Sequence, residues 1–340
     1  MDKFNIAIIG ATGAVGRILL QLLEERQFPA NSIRVCGSEK SLGQKLTENG
    51  KNLTVEIASS QLLGEVDIAF VAASSEISRK LTPLAAQQNT LVIDKSTAFR
   101  MDPQVPLVVP ELNSDDLTNH SGIIASPNCS TIPLAMVLKY LNDINPVVRA
   151  VVSTYQSVSG TGTAAMDELS RQSWEVLDDQ NSETSSYAHR IAFNVLPHVE
   201  TFLKNGHSRE EIKMVEETRK ILHEPYLRIS ATCVRVPVFV GHCEAVNIEF
   251  AKDISVDDVK SKLGQADGIR IMDDTELNEY PMPIVAEGDD SVHVGRIRED
   301  LSHPRGIVMW TAIDNLRKGA ALNAIQIAEE MIRRNLLNVD

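Results

Sequence analysis

Phe4-Asn5-Ile6-Ala7-Ile8-Ile9-Gly10-Ala11-Thr12-Gly13-Ala14-Val15-Gly16 is the stretch on which the fold turns. Its first six residues form an apolar run rich in isoleucine, which reads as a buried strand. Glycines at 10, 13 and 16 follow at once. Val15, Ile18, Leu19 and Leu22 then fall at helical spacing, and Pro29 marks the stop. Strand, glycine turn and helix in that order suit a dinucleotide, because the glycines permit a tight turn and let a pyrophosphate reach backbone N–H groups at the helix start. The spacing is G-x-x-G-x-x-G rather than G-x-G-x-x-G, with similar physics. Gly10, Thr12, Gly13, Ala14 and Val15 are the candidate cofactor contacts; the alternative is a turn that only packs helix on sheet.

A second strand is expected over 32–36. Readers of NAD usually place an acid at the end of this strand for the ribose hydroxyls. Here the strand runs into Cys36-Gly37-Ser38-Glu39-Lys40 with no acid at its end. Ser38 and Lys40 could hold a 2′-phosphate, so NADP is the expected cofactor, with Glu39 the residue that works against it. Further buried strands are expected at 66–72, 91–93 and 122–125. Strands alternating with helical segments argue for an α/β fold with a parallel sheet, here a Rossmann-type doubly wound nucleotide-binding domain. Residues 101–121 are rich in Pro, Asp and Asn and read as a surface connection.

A second, α+β domain with a mixed sheet is expected to begin near Cys129. Residues 147–155 and 234–240 are strand-like, and 245–250 alternates apolar Val246, Ile248 and Phe250 with polar Asn247 and Glu249. The polar stretch 178–190 lacks periodicity and reads as a mobile loop. Leu322, Ile325, Ala328 and Ile332 form a helical stripe expected to pack back on the first domain. The domains expected are thus 1–128, completed by a C-terminal helix at 319–340, and 129–318.

The formal charge of −13 over 340 residues argues against nucleic acid or an anionic membrane as partner. No apolar run approaches the roughly 20 residues that span a bilayer. The start of the chain lacks a basic lead and apolar signal core. Four cysteines show neither C-x-x-C spacing nor a disulfide-dense pattern, which points to a reducing cytoplasm. The histidines are scattered without ligand spacing, so no metal site is expected.

Chemistry concentrates at Ala125-Ser126-Pro127-Asn128-Cys129-Ser130-Thr131-Ile132-Pro133. One cysteine stands between a strand-like run and a helix expected over 132–140. The positive end of that helix favours thiolate over thiol, and a thiolate suits attack on an acyl carbon. A buried structural cysteine is the competing reading.

Together with the glycine turn and this cysteine, three stretches resemble the aspartate-semialdehyde dehydrogenase family: Tyr155-Gln156-Ser157-Val158-Ser159-Gly160-Thr161-Gly162, Arg235-Val236-Pro237-Val238-Phe239-Val240-Gly241-His242, and the run from Asp314-Asn315 to Asn323. The resemblance covers nearly the whole chain in family order. It implies reductive dephosphorylation of L-4-aspartyl phosphate by NADPH, giving L-aspartate 4-semialdehyde and phosphate. This step feeds lysine, threonine, methionine and diaminopimelate biosynthesis. It further implies Cys129 as the nucleophile that forms an acyl thioester, His242 as general acid/base, Gln156 as the group positioning the acyl carbon, and Asn128 beside the nucleophile. For the substrate it implies Arg235 on the carboxylate, Arg100 and Lys213 on the phosphate, and Glu210 on the amine. Ser159, Gly160 and Asn315 match contacts to the nicotinamide half, and a homodimer is implied.

Bland readings stand beside several of these roles. Ser208-Arg209-Glu210-Glu211 reads as a capping box, and Lys213 could pair with Glu216 or Glu217. Two departures from the family pattern are Val71-Ala72-Ala73-Ser74-Ser75, where many members are glycine-rich, and Cys243, where serine is frequent. The rival functions are an N-acetyl-glutamyl-phosphate reductase, whose cysteine motif usually reads Pro-Gly-Cys-Tyr-Pro-Thr, and a catalytically inert nucleotide-binding paralogue.

Overall fold

A computed structural model describes residues 3–48 and 51–337. In chain order it begins β1 (Phe4–Ile9), α1 (Ala14–Glu25), β2 (Ala30–Gly37), β3 (Lys45–Glu48), β4 (Lys51–Thr54), β5 (Glu56–Ile57), α2 (Ser60–Leu63), β6 (Ile68–Val71), α3 (Ser75–Ala86), β7 (Leu91–Asp94), α4 (Pro110–Asn113) and β8 (Ile123–Ala125). It continues α5 (Thr131–Asn142), β9 (Val147–Gln156), α6 (Thr163–Leu177), α7 (Arg209–Leu222), β10 (Arg228–Arg235), β11 (His242–Phe250), α8 (Val256–Gly264), β12 (Ile269–Ile271), α9 (Pro283–Ala286), β13 (Val292–Glu299), β14 (Gly306–Ile313) and α10 (Leu322–Arg333). Packing divides the chain into two compact units. One carries the chain up to Asn128 and again from Ala320; the other spans Cys129–Gly319.

The first unit is built on a six-stranded sheet in the order β5-β2-β1-β6-β7-β8, with every pairing parallel. Its central strands β6 and β7 are buried along their whole length, as strands covered on both faces are. The order reverses at β1, which lies between β2 and β6, and in such sheets the crevice beyond the strand ends at the reversal is where ligands bind. α10 closes this unit: Leu322, Ile325, Ala328 and Met331 share a core with Leu19, Leu22 and Leu23 of α1. A wide π-helical turn, Arg317–Ala321, precedes it, so the helix starts at Leu322 rather than 319 and ends at Arg333. Residues 338–340 lie outside the described residues.

The stretch 101–121 is not merely a surface connection. Val105, Leu107, Val108 and Val109 are buried, and Leu107 bridges Ala125 in parallel, extending the sheet beyond β8. Short apolar residues hidden among Pro and Asp carry no periodicity, so composition misjudged them.

The second unit is a six-stranded mixed sheet in the order β10-β9-β11-β14-β13-β12. β9 and β10 run parallel, with Arg235 directly opposite Gln156. β11 runs antiparallel to both β9 and β14. The apolar run 234–240 is not a strand. β10 ends at Arg235, because Pro237 cannot donate to a ladder and Val238 N–H turns back to the Val236 carbonyl at 2.9 Å. The stretch 178–190 forms no helix or strand, yet it is strapped down rather than loose. The Glu168 carboxylate of α6 accepts hydrogen bonds from Ser185 N (3.0 Å), Ser185 Oγ (2.8 Å) and Ser186 N (2.5 Å). Burial alone would raise that carboxyl, but the Ser185 and Ser186 donors outweigh it and hold it below its usual value.

Candidate active site

In the first unit, Gly10 leaves β1 with φ +87°, and a Cβ there would stand 2.3 Å from the Ala72 carbonyl at the end of β6. Only glycine lets the turn pass that close. Gly10 and Ala11 N–H both donate to the Cys36 carbonyl, at 2.9 and 3.0 Å, so the loop is tied to the end of β2. Gly13 then caps α1 without a side-chain acceptor, leaving the first N–H groups of a twelve-residue helix directed at the crevice. That cradle fits an anionic dinucleotide. Thr12, Ala14 and Val15 are half-buried around it, and Gly13 is exposed. Ser38, Glu39 and Lys40 are exposed on the 3-10 turn after β2. The nearest cation on that strand, Arg34, is held by Glu56 (2.6 Å) and Glu65 (2.7 Å). The serines at 74 and 75 have local work: Ser74 caps α3 through Ile77 N, and Ser75 Oγ pairs with Thr97 Oγ1 at 2.8 Å.

Arg100 and Asn128 also belong to this unit, beyond the carboxyl ends of β7 and β8. Both are buried. Arg100 donates to the Lys95 carbonyl at 2.7 Å, and Lys95 Nζ to the Pro127 carbonyl at 2.8 Å, so the segments bearing them are braced.

The second unit gathers its candidates at one end of the sheet, where parallel β9 and β10 finish and antiparallel β11 begins. Gln156 closes β9. Its amide donates to Glu210 Oε1 at 2.9 Å, and its carbonyl accepts from Thr154 Oγ1 at 3.1 Å. Arg235 closes β10. Its Nη1 donates to the Ser157 carbonyl at 2.6 Å, its guanidinium lies 6.0 Å from the Tyr187 ring centroid, and its buried Nε has no hydrogen-bond partner among the described residues. An unpaired donor on a buried guanidinium points to a ligand anion.

His242 opens β11. The Ser157 backbone N–H, a fixed donor, bonds Nδ1 at 3.0 Å, which assigns the proton of the neutral ring to Nε2. A Cβ on Gly160 would stand 3.2 Å from His242 Nε2 and 3.1 Å from Arg235 Nη1, so Gly160 keeps the space beside both groups open. Asn315 fixes this corner by accepting from Ser157 Oγ (3.1 Å) and Gly241 N (2.8 Å) and donating to Ser159 Oγ (2.9 Å).

Cys129 is half-buried, immediately ahead of Ser130, the cap residue of α5, whose side chain makes no capping bond. A Cβ on Gly319 would stand 3.0 Å from Cys129 Cβ, so the turn before α10 seats the cysteine. The other three thiols are buried and unreactive in character. Burial pushes Cys36 up to about 11 and Cys243 up to about 12, and raises Cys233, which also feels Glu210, further still.

Residues 5–120 match the semialdehyde dehydrogenase NAD-binding domain, and residues 138–318 the semialdehyde dehydrogenase dimerisation domain. The aspartate-semialdehyde dehydrogenase of Aquifex aeolicus is 45% identical over 338 residues, 98% of this chain and 99% of that protein. That of Bacillus subtilis is 43% identical with the same coverage. The chain belongs to the aspartate-semialdehyde dehydrogenase family. The crystal structure of aspartate semialdehyde dehydrogenase II from Vibrio cholerae superposes with a TM-score of 0.95 at 44% identity, covering 98% of this chain and 99% of that one.

Within this family architecture, several residues of the site were not singled out from sequence. Ser157, which fixes His242 and Asn315, lies inside the quoted 155–162 stretch. Asp314 accepts from Gly288, Leu316 and Arg317 N–H and shapes the turn that holds Gly319; it stands beside Asn315 in another quoted stretch. Thr154 and Glu244 were legible only as alternate positions on their strands. Glu200, which pairs with Lys213, had no local signal.

Proposed function

We propose that the chain reduces L-4-aspartyl phosphate to L-aspartate 4-semialdehyde with NADPH through a thioester on Cys129. The observation that carries this reading is the convergence of Gln156, Arg235 and His242 at one sheet end around the space that Gly160 leaves open. Cys129 Sγ attacks the acyl carbon, the carbon–oxygen bond to phosphate breaks, and phosphate departs. When bound in the Gly10–Val15 cradle, with Ser38 and Lys40 toward a 2′-phosphate, the reduced cofactor supplies the hydride. The tetrahedral adduct then expels the Cys129 thiolate and releases the aldehyde.

His242 presents Nε2–H as a donor to negative charge developing on sulfur or oxygen, and this atom is where its general acid/base work is done. Ser157 locks the ring in that tautomer. Gln156 orients the acyl group, and Asn128 supports the nucleophile. Arg235 receives the substrate carboxylate as a planar fork, Arg100 and Lys213 the phosphate. Ser159 and Asn315 hold the nicotinamide side together with Gly160. Glu210, a buried carboxylate tied to Gln156, suits a free ammonium better than the uncharged N–H of an N-acetylated substrate. The molecule works as a homodimer, and its four free cysteines accord with a cytoplasmic setting. Among the described residues, no helix is long and apolar enough to cross a membrane.

The test is the reverse assay with aspartate semialdehyde, phosphate and NADP, followed by NADPH absorbance with NAD as control. Turnover is expected with NADP, and Cys129→Ala should lose at least roughly 10³-fold in rate while NADP binding persists. Substantial turnover by the alanine variant, or a preference for the N-acetyl-glutamate semialdehyde, overturns the reading.

A further inference from the structure

Glu200 has φ +64°, a left-handed conformation that residues other than glycine adopt at a cost and keep only where their surroundings hold them. The arch that carries it is pinned on both sides. Upstream, Leu196 and Arg235 exchange two backbone hydrogen bonds, at 2.9 and 2.8 Å. Downstream, Arg209 N–H donates to the Thr201 carbonyl at 2.9 Å, Phe202 bridges Ser208, and the His198 ring stacks on Phe202 with centroids 4.1 Å apart. The chain therefore crosses from the end of β10 to the start of α7 with its path set, and from that path the Glu200 carboxylate reaches Lys213 Nζ.

Lys213 thus meets two carboxylates. Glu210 Oε2, on the same helix, lies 3.5 Å away; its side chain is only 5% exposed, and its other oxygen holds Gln156. Glu200 is different. Its side chain is 40% exposed, and the backbone beneath it is strained.

We propose that Glu200 is a resident counter-anion of the phosphate subsite, competing with substrate phosphate for Lys213 and so setting phosphate affinity. This rests on the reading of Lys213 as a phosphate ligand. A singly charged anion that displaces Glu200 exchanges one carboxylate-like contact for another and gains little. A phosphate dianion, with more charge and more acceptor oxygens, gains on the exchange. The carboxylate therefore filters the site for phosphate against monoanions, a discrimination built from a competing interaction rather than an added attraction.

The experiment is the reverse reaction with inorganic phosphate varied. Glu200→Gln should lower the KM for phosphate roughly two- to five-fold, the range of a half-exposed ion pair, without a parallel change in the KM for aspartate semialdehyde, and should sharpen inhibition by acetate. Glu200→Gly removes the carboxylate and relaxes the backbone, and should lower the phosphate KM equally. An unchanged or raised phosphate KM in Glu200→Gln overturns the proposal, as does a fall seen in only one of the two variants, which would assign the effect to the backbone. Lys213→Met separates this from the underlying reading. It should raise the phosphate KM and abolish the effect of adding Glu200→Gln. If Lys213→Met leaves the phosphate KM unchanged, the assignment of Lys213 itself fails.

Discussion

Two residues after His242 on β11, Glu244 is fully buried, and neither of its carboxyl oxygens has a hydrogen-bond partner among the described residues. It stands opposite Thr154 of β9 and Thr311 of β14, one step along the strand from Gln156 and His242 and on the same face of the sheet. Burial raises this carboxyl well above its ordinary range, so it keeps its proton to higher pH in the fold than in the unfolded chain, where it ionises near 4.3. Folding then takes up a proton. The contribution of this group to stability is complete below about pH 4.3 and declines as pH rises toward its folded value. Glu244→Gln keeps the volume and removes the titration. The melting temperature of the variant relative to the native chain should therefore rise between pH 5 and pH 8, as read by thermal unfolding. A difference independent of pH would mean that the carboxyl titrates normally in the fold.

At the scale of elements, α7 shows how a structural device and a chemical one share a turn. Ser208 Oγ accepts from Glu211 N–H at 3.3 Å, and Glu211 Oε2 accepts from Ser208 N–H at 2.8 Å. The capping box and the roles of Glu210 and Lys213 looked like competing readings of one segment. They coexist because adjacent helical positions point about 100° apart, so Glu211 serves the cap while Glu210 and Lys213 share another face. Ser208→Ala should cost about 1 kcal/mol, seen as a roughly five-fold loss of hydrogen-exchange protection in the first turn of α7, together with a raised KM for substrate. Unchanged protection would show that packing alone holds the turn. Elements of this kind were legible wherever a period and its punctuation agreed: β1, the glycine turn and α1 are the clearest case. β10 was missed because its inward side is made of the small Ala231 and Cys233 and the charged Arg235, a weaker apolar signal than the run 234–240, where Pro237 in fact ends pairing. Gln156, Arg235 and His242 were reached through the resemblance that their motifs carry; that each stands at a strand terminus is what the fold adds. Glu244 was readable in principle, since the inward set Val246, Ile248 and Phe250 extends back to it by twos. The Glu200–Lys213 pair was not, because it is made by an arch thirteen residues from the helix position it meets, and no local pattern encodes it.

At the scale of the whole molecule, the second unit has a sheet with two unlike faces. Helices α5, α7 and α8 pack against its strands, covering the side that holds Gln156 and Glu244. On the opposite side, Tyr155 is 38% exposed and its ring lies 5.0 Å from that of Trp310. A hollow lined by Ala245, Tyr280, Pro281, Met282 and Trp310, and also by Arg296 and Arg298, opens beside this pair, and Trp310 Nε1 donates to the Pro281 carbonyl at 3.0 Å, which fixes the indole in place. Rigid, half-exposed aromatics over an apolar floor are the composition of an interface centre rather than of a solvated sheet face. Residues 138–318 match a dimerisation domain, and this face is where a second copy would cover the aromatics. Twice the chain mass of 37.4 kDa gives 74.8 kDa, the species expected in sedimentation. Tyr155→Arg places a charge at the middle of that face without touching the core, and should shift the equilibrium toward 37.4 kDa. If the native chain sediments at the single-chain mass, or if the arginine variant stays a dimer, the self-association runs through some other surface, and the Tyr155–Trp310 pair must be explained by the chemistry of a different partner.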